Sequence, residues 1–308
     1  MNLYKSLIFI LYLGIFLGSG FRTPAQSRDS ITLYGTLDTV QVIRQRIQHA
    51  NEANAGARVT HISPAILQTR SLAELLTDHT SIYIKSLGTG ALSTASFRGT
   101  SASQTRVNWN GINITPPLSG TFDFSQIPVF FTDNINLYYG SSHVKNGTGA
   151  IGGSVNLFTD TDWNRGVNGR VLAEYGSYNT YTVGGQANIS GNKSASKTRL
   201  YYQHSDNDYT YLNKVLTNIP FREKRQDAAY SQFGIMQEGY FRVSPYTRLT
   251  AVAWYQKNHR NLPQPLGVVN RSQEDQEENN FRGYAGLDFS RGIHELHVKA
   301  AWLYFCQT

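Results

Sequence analysis

Across 308 residues the chain has one cysteine, two methionines and nine prolines, and only 16% of its residues are charged. A lone thiol, Cys306, closes no internal disulfide, and without a Cys pair the usual zinc frameworks are excluded. Beyond residue 25 no apolar run reaches the roughly 18 residues that a transmembrane helix needs. No HExxH, no GxSxG and no close His/Cys cluster is present, so the common hydrolase and metalloprotease chemistries lack their residues. Basic residues exceed acidic ones by seven, yet they gather into no patch, which argues against nucleic acid as a partner. Nothing here calls for catalysis, a cofactor or a bound metal.

Aromatic residues and glycine are abundant instead: 19 Tyr, 15 Phe and 27 Gly. Lys5, the apolar run Ser6–Gly20 and the small residues up to Ala25 have the layout of a secretory signal peptide, so 1–25 is expected to be cleaved on export. Its loss takes the formal net charge from +7 to +5. Residues 26–56 carry one short β-prone piece and then polar, Ala-rich sequence, as a tether would.

Residues 57–160 read as a small α+β domain. Ser71-x-x-Glu74 ahead of Leu72, Leu75 and Leu76 is a capping box, which predicts a helix start. Short strands are predicted at 81–86, 105–114, 133–140 and 153–159, with 87–96 as a Gly/Ser/Thr-rich loop. From 169 onward a period of two dominates. In 180–190, Tyr181, Val183, Gly185, Ala187 and Ile189 share one face, and Thr182, Gly184, Gln186 and Asn188 share the other. Seven strands are predicted, at about 169–177, 180–190, 198–206, 231–243, 246–257, 281–289 and 293–305.

The connections say more than the strands. After the first hairpin, short turns alternate with long loops (207–230 and 258–280), which puts the long loops at one end. Outer-membrane barrels are built this way, because lipid tolerates no unpaired backbone and the strands therefore close on themselves. Residues 161–308 are accordingly expected to be the N-terminal part of an antiparallel transmembrane β-barrel. Large plugged barrels have about 22 strands, so seven strands ending at "YFCQT" predict a fragment or a truncated product. Asp206-Asn207-Asp208 and the acidic run 273–278 are read as solvated external loop, with a minor option of calcium contact.

Gly147, Gly149 and Gly152 match G-x-G-x-x-G, the dinucleotide-binding fingerprint. That pattern works only between a strand and a helix, whose N-terminus receives the pyrophosphate. Here Ser154, Val155, Asn156, Leu157 and Phe158 follow, which is strand sequence. The glycines are therefore expected to permit a tight turn and close backbone approach.

Taken together, the chain resembles the TonB-dependent outer-membrane receptors over essentially everything after residue 35. "LDTVQVI" (37–43) resembles their Ton box, with Asp38, Thr39, Val40, Gln41 and Val42 as its core, a segment suited to strand addition on a partner's sheet edge. "SFRGT", with Arg98 and Gly99, resembles the Arg-Gly motif of the family's plug domain. "RVNWNGINI", with Arg106 and Gly111, resembles the segment that usually ends in Asp-Gly. "INLYYGSS…NGTGAIGGSVNL" resembles the block that here holds Gly140, Gly147, Gly149, Gly152 and Gly153. Asn110 stands where Asp is usual, and Asn136 and Tyr139 stand where Glu and Arg are common. Those charges help lock plug to barrel in the family, so the resemblance leaves the lock to Arg98 and Arg106 or to hydrogen bonds.

The resemblance implies energy-coupled import across the bacterial outer membrane. Its partners would be the TonB energy-transducing protein, outer-membrane lipid and an extracellular metal chelate or cobalamin. Ligand contacts are expected on the apical loops, at Gln104, Leu118, Ser119 and Phe122. A glycan or peptide importer of the same family, or a passive porin or adhesin barrel, is the alternative, though the last two would lack a plug.

Overall fold

A computed structural model describes residues 58–62, 70–140, 150–215, 220–264 and 273–308. The described residues fall in one compact unit. The signal segment, the Ton box, Gly147 and Gly149 lie outside the described residues.

Among the described residues the α-helix, α1 (Leu72–His79), begins where its capping box predicts. The Glu74 amide donates to Ser71 Oγ at 3.3 Å, and Glu74 Oε2 accepts from the Ser71 amide at 2.9 Å. Leu72, Ala73, Leu75 and Leu76 form its buried face. The Thr80 amide and hydroxyl both donate to the Leu76 carbonyl and close the helix. Ser71→Ala is expected to cost about 1 kcal/mol in denaturant unfolding of the purified protein; an unchanged midpoint would show that the cap is redundant.

Five strands make the plug sheet, β1 (Arg58–Ile62), β4 (Thr105–Trp109), β5 (Ile112–Asn113), β6 (Asn134–Tyr139) and β7 (Gly153–Phe158), while β2 (Tyr83–Ser86) and β3 (Ser93–Ser96) pair as a separate hairpin. The sheet order is β1-β6-β7-β4-β5, with β4 and β7 parallel and the other pairs antiparallel. Asn110 and Gly111 turn β4 into β5 at φ 50° and 84°, a left-handed turn of the hairpin kind. Val107, Trp109, Ile135, Leu137, Val155 and Leu157 fill the core between sheet and helix. Residues 93–96, expected to be loop, are strand: "STAS" has no apolar alternation to announce it, and its pairing with β2 comes from the fold.

The second sheet has seven strands in the order β16-β15-β14-β13-β10-β9-β8. They are β8 (Gly166–Gly176), β9 (Thr180–Ser190), β10 (Ser194–Ser205), β13 (Tyr230–Ser244), β14 (Thr247–Asn261), β15 (Asp275–Arg291) and β16 (His294–Gln307). All neighbours pair antiparallel and in sequence order. Short turns at 191–193, 245–246 and 292–293 lie at one end, and the connections 206–229 and 262–274 at the other. The longer of these folds back as a hairpin of β11 (Thr210–Asn213) and β12 (Phe221–Lys224) that the sequence reading did not resolve. The acidic run is not wholly loop: Asp275–Glu278 opens β15 and pairs with β14, where Lys257 meets Glu277 at 2.9 Å and His259 meets Asp275 at 3.2 Å.

The two faces of this sheet differ in kind. Val167, Val171, Tyr175, Val183, Ile189, Phe233, Ile235 and Trp302 are exposed on one face, while Arg199, Gln232, Glu238, Gln256, Asn258 and Arg282 are buried on the other. Apolar outside and polar inside is the arrangement of a wall between lipid and lumen. The sheet is open, with β8 and β16 at its edges. The plug packs on the polar face.

Candidate functional site

The site is the contact between plug and wall, and its centre is aromatic. Trp109, fully buried at the end of β4, packs edge-to-face on Trp254 of β14 and Tyr284 of β15 at ring-centroid distances of 5.4 and 5.2 Å. Phe131 from the turn Val129–Phe131 lies 5.3 Å from Trp254 and 6.1 Å from Tyr201, and Phe130 lies 5.9 Å from Tyr201. A glycine on the wall makes this approach possible. A Cβ on Gly234 would sit 2.6 Å from the Phe131 ring, well inside van der Waals contact.

Around that centre the contacts are ionic. Asp133, at the start of β6, accepts from Lys197 Nζ at 2.9 Å and from Arg199 at 2.5 Å, both from β10. Arg199 is fully buried; it also donates to the Phe130 carbonyl at 3.2 Å and faces Glu238 of β13 at 3.5 Å. Tyr240 donates its hydroxyl to Glu238 at 2.5 Å. Asp133, Arg199, Glu238 and Tyr240 thus form one chain of alternating partners running from plug into wall. Burial works to raise the Asp133 carboxyl, but the Arg199 and Lys197 charges outweigh it and hold it below the ordinary carboxylate range.

A second lock lies toward the long-loop end. Asp123 Oδ2 accepts from Arg260 at 2.7 Å, while its Oδ1 accepts from the amides of Ser93 and Ser125 at 3.0 Å each. Wall amides then bind plug carbonyls: Gln232 to Ser125 at 2.9 Å, Asn207 to Thr89 at 3.1 Å, and Gln256 to Gln126. Carbonyls and two carboxylates therefore present a negative surface that the wall's cations and amides cover.

The covalent passage from plug to wall, residues 159–165, is stapled as well. Asn110 Nδ2 donates to Thr159 Oγ1 at 2.9 Å and Asn110 Oδ1 accepts from the Thr159 amide at 3.0 Å. An amide side chain gives and takes at once, which an ionised carboxylate cannot do, so Asn110 suits this pair of bonds where Asp would not. The Asn110 carbonyl accepts from Lys299 of β16 at 2.7 Å. Asp133 Oδ2 accepts from the Asp160 amide at 2.9 Å, and Arg242 lies 3.8 Å over the Trp163 ring.

The residues singled out from sequence occupy mixed positions. Arg98 (φ 50°) and Gly99 (φ 78°) form a left-handed turn, and Arg98 is exposed and makes none of the plug–wall contacts. Arg106 is half-buried on β4. Gly140 turns out of β6 at φ 88°. A Cβ on Gly152 would meet Thr100 Oγ1 at 2.1 Å, and one on Gly153 would meet the Phe97 ring and the Tyr138 carbonyl at 2.6 Å. Close approach is therefore the role of these two glycines, and β7 rather than a helix follows them. Gln104 accepts the Ser101 amide at 3.1 Å and supports the turn Ala102–Gln104. Leu118 is fully exposed and Ser119 is exposed. Phe122 corrects the expectation of a ligand contact: it is 4% exposed and packs 5.1 Å from Phe124 in the plug core. Asp206 pairs with His204 and Asp208 with Lys224, and among the described residues no three His, Cys, Asp or Glu side chains converge on a metal position.

Asp133, Lys197, Arg199, Glu238, Asp123 and Arg260 escaped the sequence reading. Lys197 and Arg199 show in "SASKTRLYY" only as charges on the strand face that also holds Ala195 and Tyr201.

Residues 51–154 match the family model described as the TonB-dependent receptor plug domain. The chain carries a TonB-dependent receptor plug domain. Its place is the outer membrane, and the proteins that it matches are receptors and transporters. It is 34% identical over 119 residues to the vitamin B12 transporter BtuB of Photobacterium profundum, a match covering 39% of this chain and 20% of that one. With BtuB of Vibrio cholerae it shares 37% identity over 93 residues, 30% of this chain and 15% of that one. Among solved structures it resembles the ferric enterobactin receptor PfeA of Pseudomonas aeruginosa, with TM-score 0.64 and 12% identity over 83% of this chain and 42% of that one. The alcaligin outer-membrane receptor FauA of Bordetella pertussis is similar, with TM-score 0.61 and 14% identity over 82% of this chain and 39% of that one. At these identities the likeness to solved structures is one of fold. The match spans about a fifth of the length of the BtuB relatives and about two fifths of the solved receptors.

Proposed function

We propose that the chain is the plug and the first part of the barrel of a receptor that imports a scarce chelate, a ferric siderophore or a cobalamin, in steps driven by the TonB protein. Residues 1–25 are then the export signal, 26–56 the tether with the Ton box at Asp38–Val42, 57–160 the plug, and 161–308 the barrel wall. One observation carries this reading: the plug is seated on the polar face of the wall by contacts that can be broken and remade. Two carboxylates, a row of carbonyls and a few aromatic rings hold it against the wall. A porin or adhesin has no use for such a plug. Leu118 and Ser119, exposed beside the long-loop end, are where an incoming ligand would first touch it. The vitamin B12 transporters support the cobalamin option and the siderophore receptors support the iron option.

Deleting residues 38–42 from the full-length gene tests the coupling. Uptake of labelled ferric chelate and cyanocobalamin is expected to fall to background while surface binding persists. Uptake that continues at the normal rate removes the Ton box, and with it the energy-coupled reading.

A further inference from the structure

At its short-turn end the wall is a stitched rim. The Arg242 amide donates to the Lys193 carbonyl at 2.7 Å and ties the turn 191–193 to β13. The Ser290 amide donates to the Tyr246 carbonyl at 2.9 Å and ties the turn 245–246 to β15. Tyr246 itself donates its amide to Ser244 Oγ at 3.1 Å. Side chains on turns held this way are set in place before any partner arrives.

Charge on this rim is answered unevenly. Arg248 meets Asp288 at 2.9 Å, Asp288 also meets His297 at 2.7 Å, and Arg242 is spent on the Trp163 ring. Arg291 is exposed and pairs with no carboxylate among the described residues; its guanidinium lies 5.3 Å over the Tyr246 ring. Lys193, three strands along the rim beside β10, is exposed and likewise without a carboxylate among the described residues. The long-loop end differs, since Lys224, Lys257 and Arg260 each meet a carboxylate there.

Position decides what Arg291 can hold. Alternation along β15 puts it in step with Leu287 and Phe289, which pair with Val298 and Leu296 on the outward, apolar face. Val243, Leu249 and Leu296 are exposed around it, and Ile293 at the adjoining turn is 94% exposed. A cation at the end of an apolar face, set over an aromatic ring, reaches lipid headgroups while its stem stays among acyl chains. Short turns of such barrels face the periplasm, so these headgroups belong to the periplasmic leaflet. A free anion would make no use of the apolar flank. A zwitterionic headgroup brings a cation of its own and gains less from a second one.

We propose that Arg291, Tyr246 and Ile293 form a binding site for an anionic phospholipid of the periplasmic leaflet. The lipid phosphate sits on the Arg291 guanidinium, which the Tyr246 ring holds in place, and the acyl chains run along Leu249 and Leu296. Lys193 takes a neighbouring headgroup on the same rim. The site goes beyond the import reading and does not rest on it, because it needs only the wall's place in the outer membrane.

The test uses the purified full-length receptor in neutral detergent, titrated with short-chain phosphatidylglycerol or phosphatidylethanolamine, with bound lipid counted by native mass spectrometry. The parent is expected to bind phosphatidylglycerol the more tightly. Arg291→Gln should weaken phosphatidylglycerol binding about fivefold, the contribution of one cation near an anionic lipid surface, and leave phosphatidylethanolamine binding unchanged. Arg291→Lys keeps the charge and should keep most of the affinity, which general damage to the wall would not allow. Lys257→Gln, at the opposite end, should bind both lipids as the parent does. Equal affinity for the two lipids in the parent overturns the proposal, as does parental phosphatidylglycerol binding in Arg291→Gln. A matching loss in Arg291→Lys or in Lys257→Gln overturns it as well. Inorganic phosphate that displaces the lipid at equal concentration also overturns it, because the site would then read a bare anion.

Discussion

Asp133→Asn is expected to loosen the seated plug by about 3–5 kcal/mol, the cost of leaving buried charges without their partner. Lys197 and Arg199 are 8% and 0% exposed on their side chains, so Arg199 above all has little water to replace the lost carboxylate. Glu238 cannot compensate for both, because Arg199 lies at 3.5 Å from it and Tyr240 already occupies its other oxygen. Thermal unfolding and limited proteolysis of the plug in the purified full-length receptor would read the effect; a loss under about 1 kcal/mol, the level of a surface ion pair, would show that the lock is not at Asp133. The same residue sets an acid dependence. Its carboxyl is held below its ordinary value in the folded state, so the unfolded form takes up protons first. The stabilisation is therefore complete above the unfolded value of about 3.9 and is lost as pH falls through the lower folded value. The Asn variant should lack that component of the acid transition.

Trp109→Ala is expected to cost about 3–5 kcal/mol, the range for a fully buried aromatic truncated to a methyl group. Trp109 sits at the joint of two cores. It belongs to the plug core with Val107, Val155 and Leu157, and its ring meets Trp254 and Tyr284 on the wall. Both structures should suffer, so the plug's own proteolytic resistance and its attachment to the barrel should fall together. Trp109→Phe, which keeps an aromatic edge, should recover part of the loss; a variant at Trp109 that loosens the plug without destabilising it would show that the two cores are independent. The larger volume removed in the Ala variant leaves a void that rigid wall strands cannot collapse into.

What the sequence shows best is whatever is periodic or local. The apolar face Tyr181–Ile189 and the box Ser71–Glu74 announce a strand and a helix because each motif carries its own cause. The strand ends are hidden where alternation is polar against polar, as at 275–280, whose pairing depends on Lys257, His259 and Arg260 across the sheet. Small residues conceal β3, and four-residue strands conceal the β11–β12 hairpin. The locks were illegible for a different reason. Asp133 and Arg199 are far apart in sequence, and neither has a neighbour that marks it as half of a pair. The Gly152–Gly153 stretch was legible as strand entry from the residues that follow it, and the ring of Phe97 supplies the steric reason for glycine that sequence alone could only suggest in general.

The stapled passage at 159–165 makes the plug a hinged part rather than a loose one. It issues from β7, the middle strand of the plug sheet, while β1 lies at the sheet's margin with β6 as its one neighbour. On the import reading proposed above, tension delivered from the N-terminal side would meet β1, with its single neighbour, first and the passage last. On the same reading, a plug that swings out on this passage would stay leashed to its own doorway, at an effective concentration on the order of millimolar, and would return to its seat by recoil instead of by search.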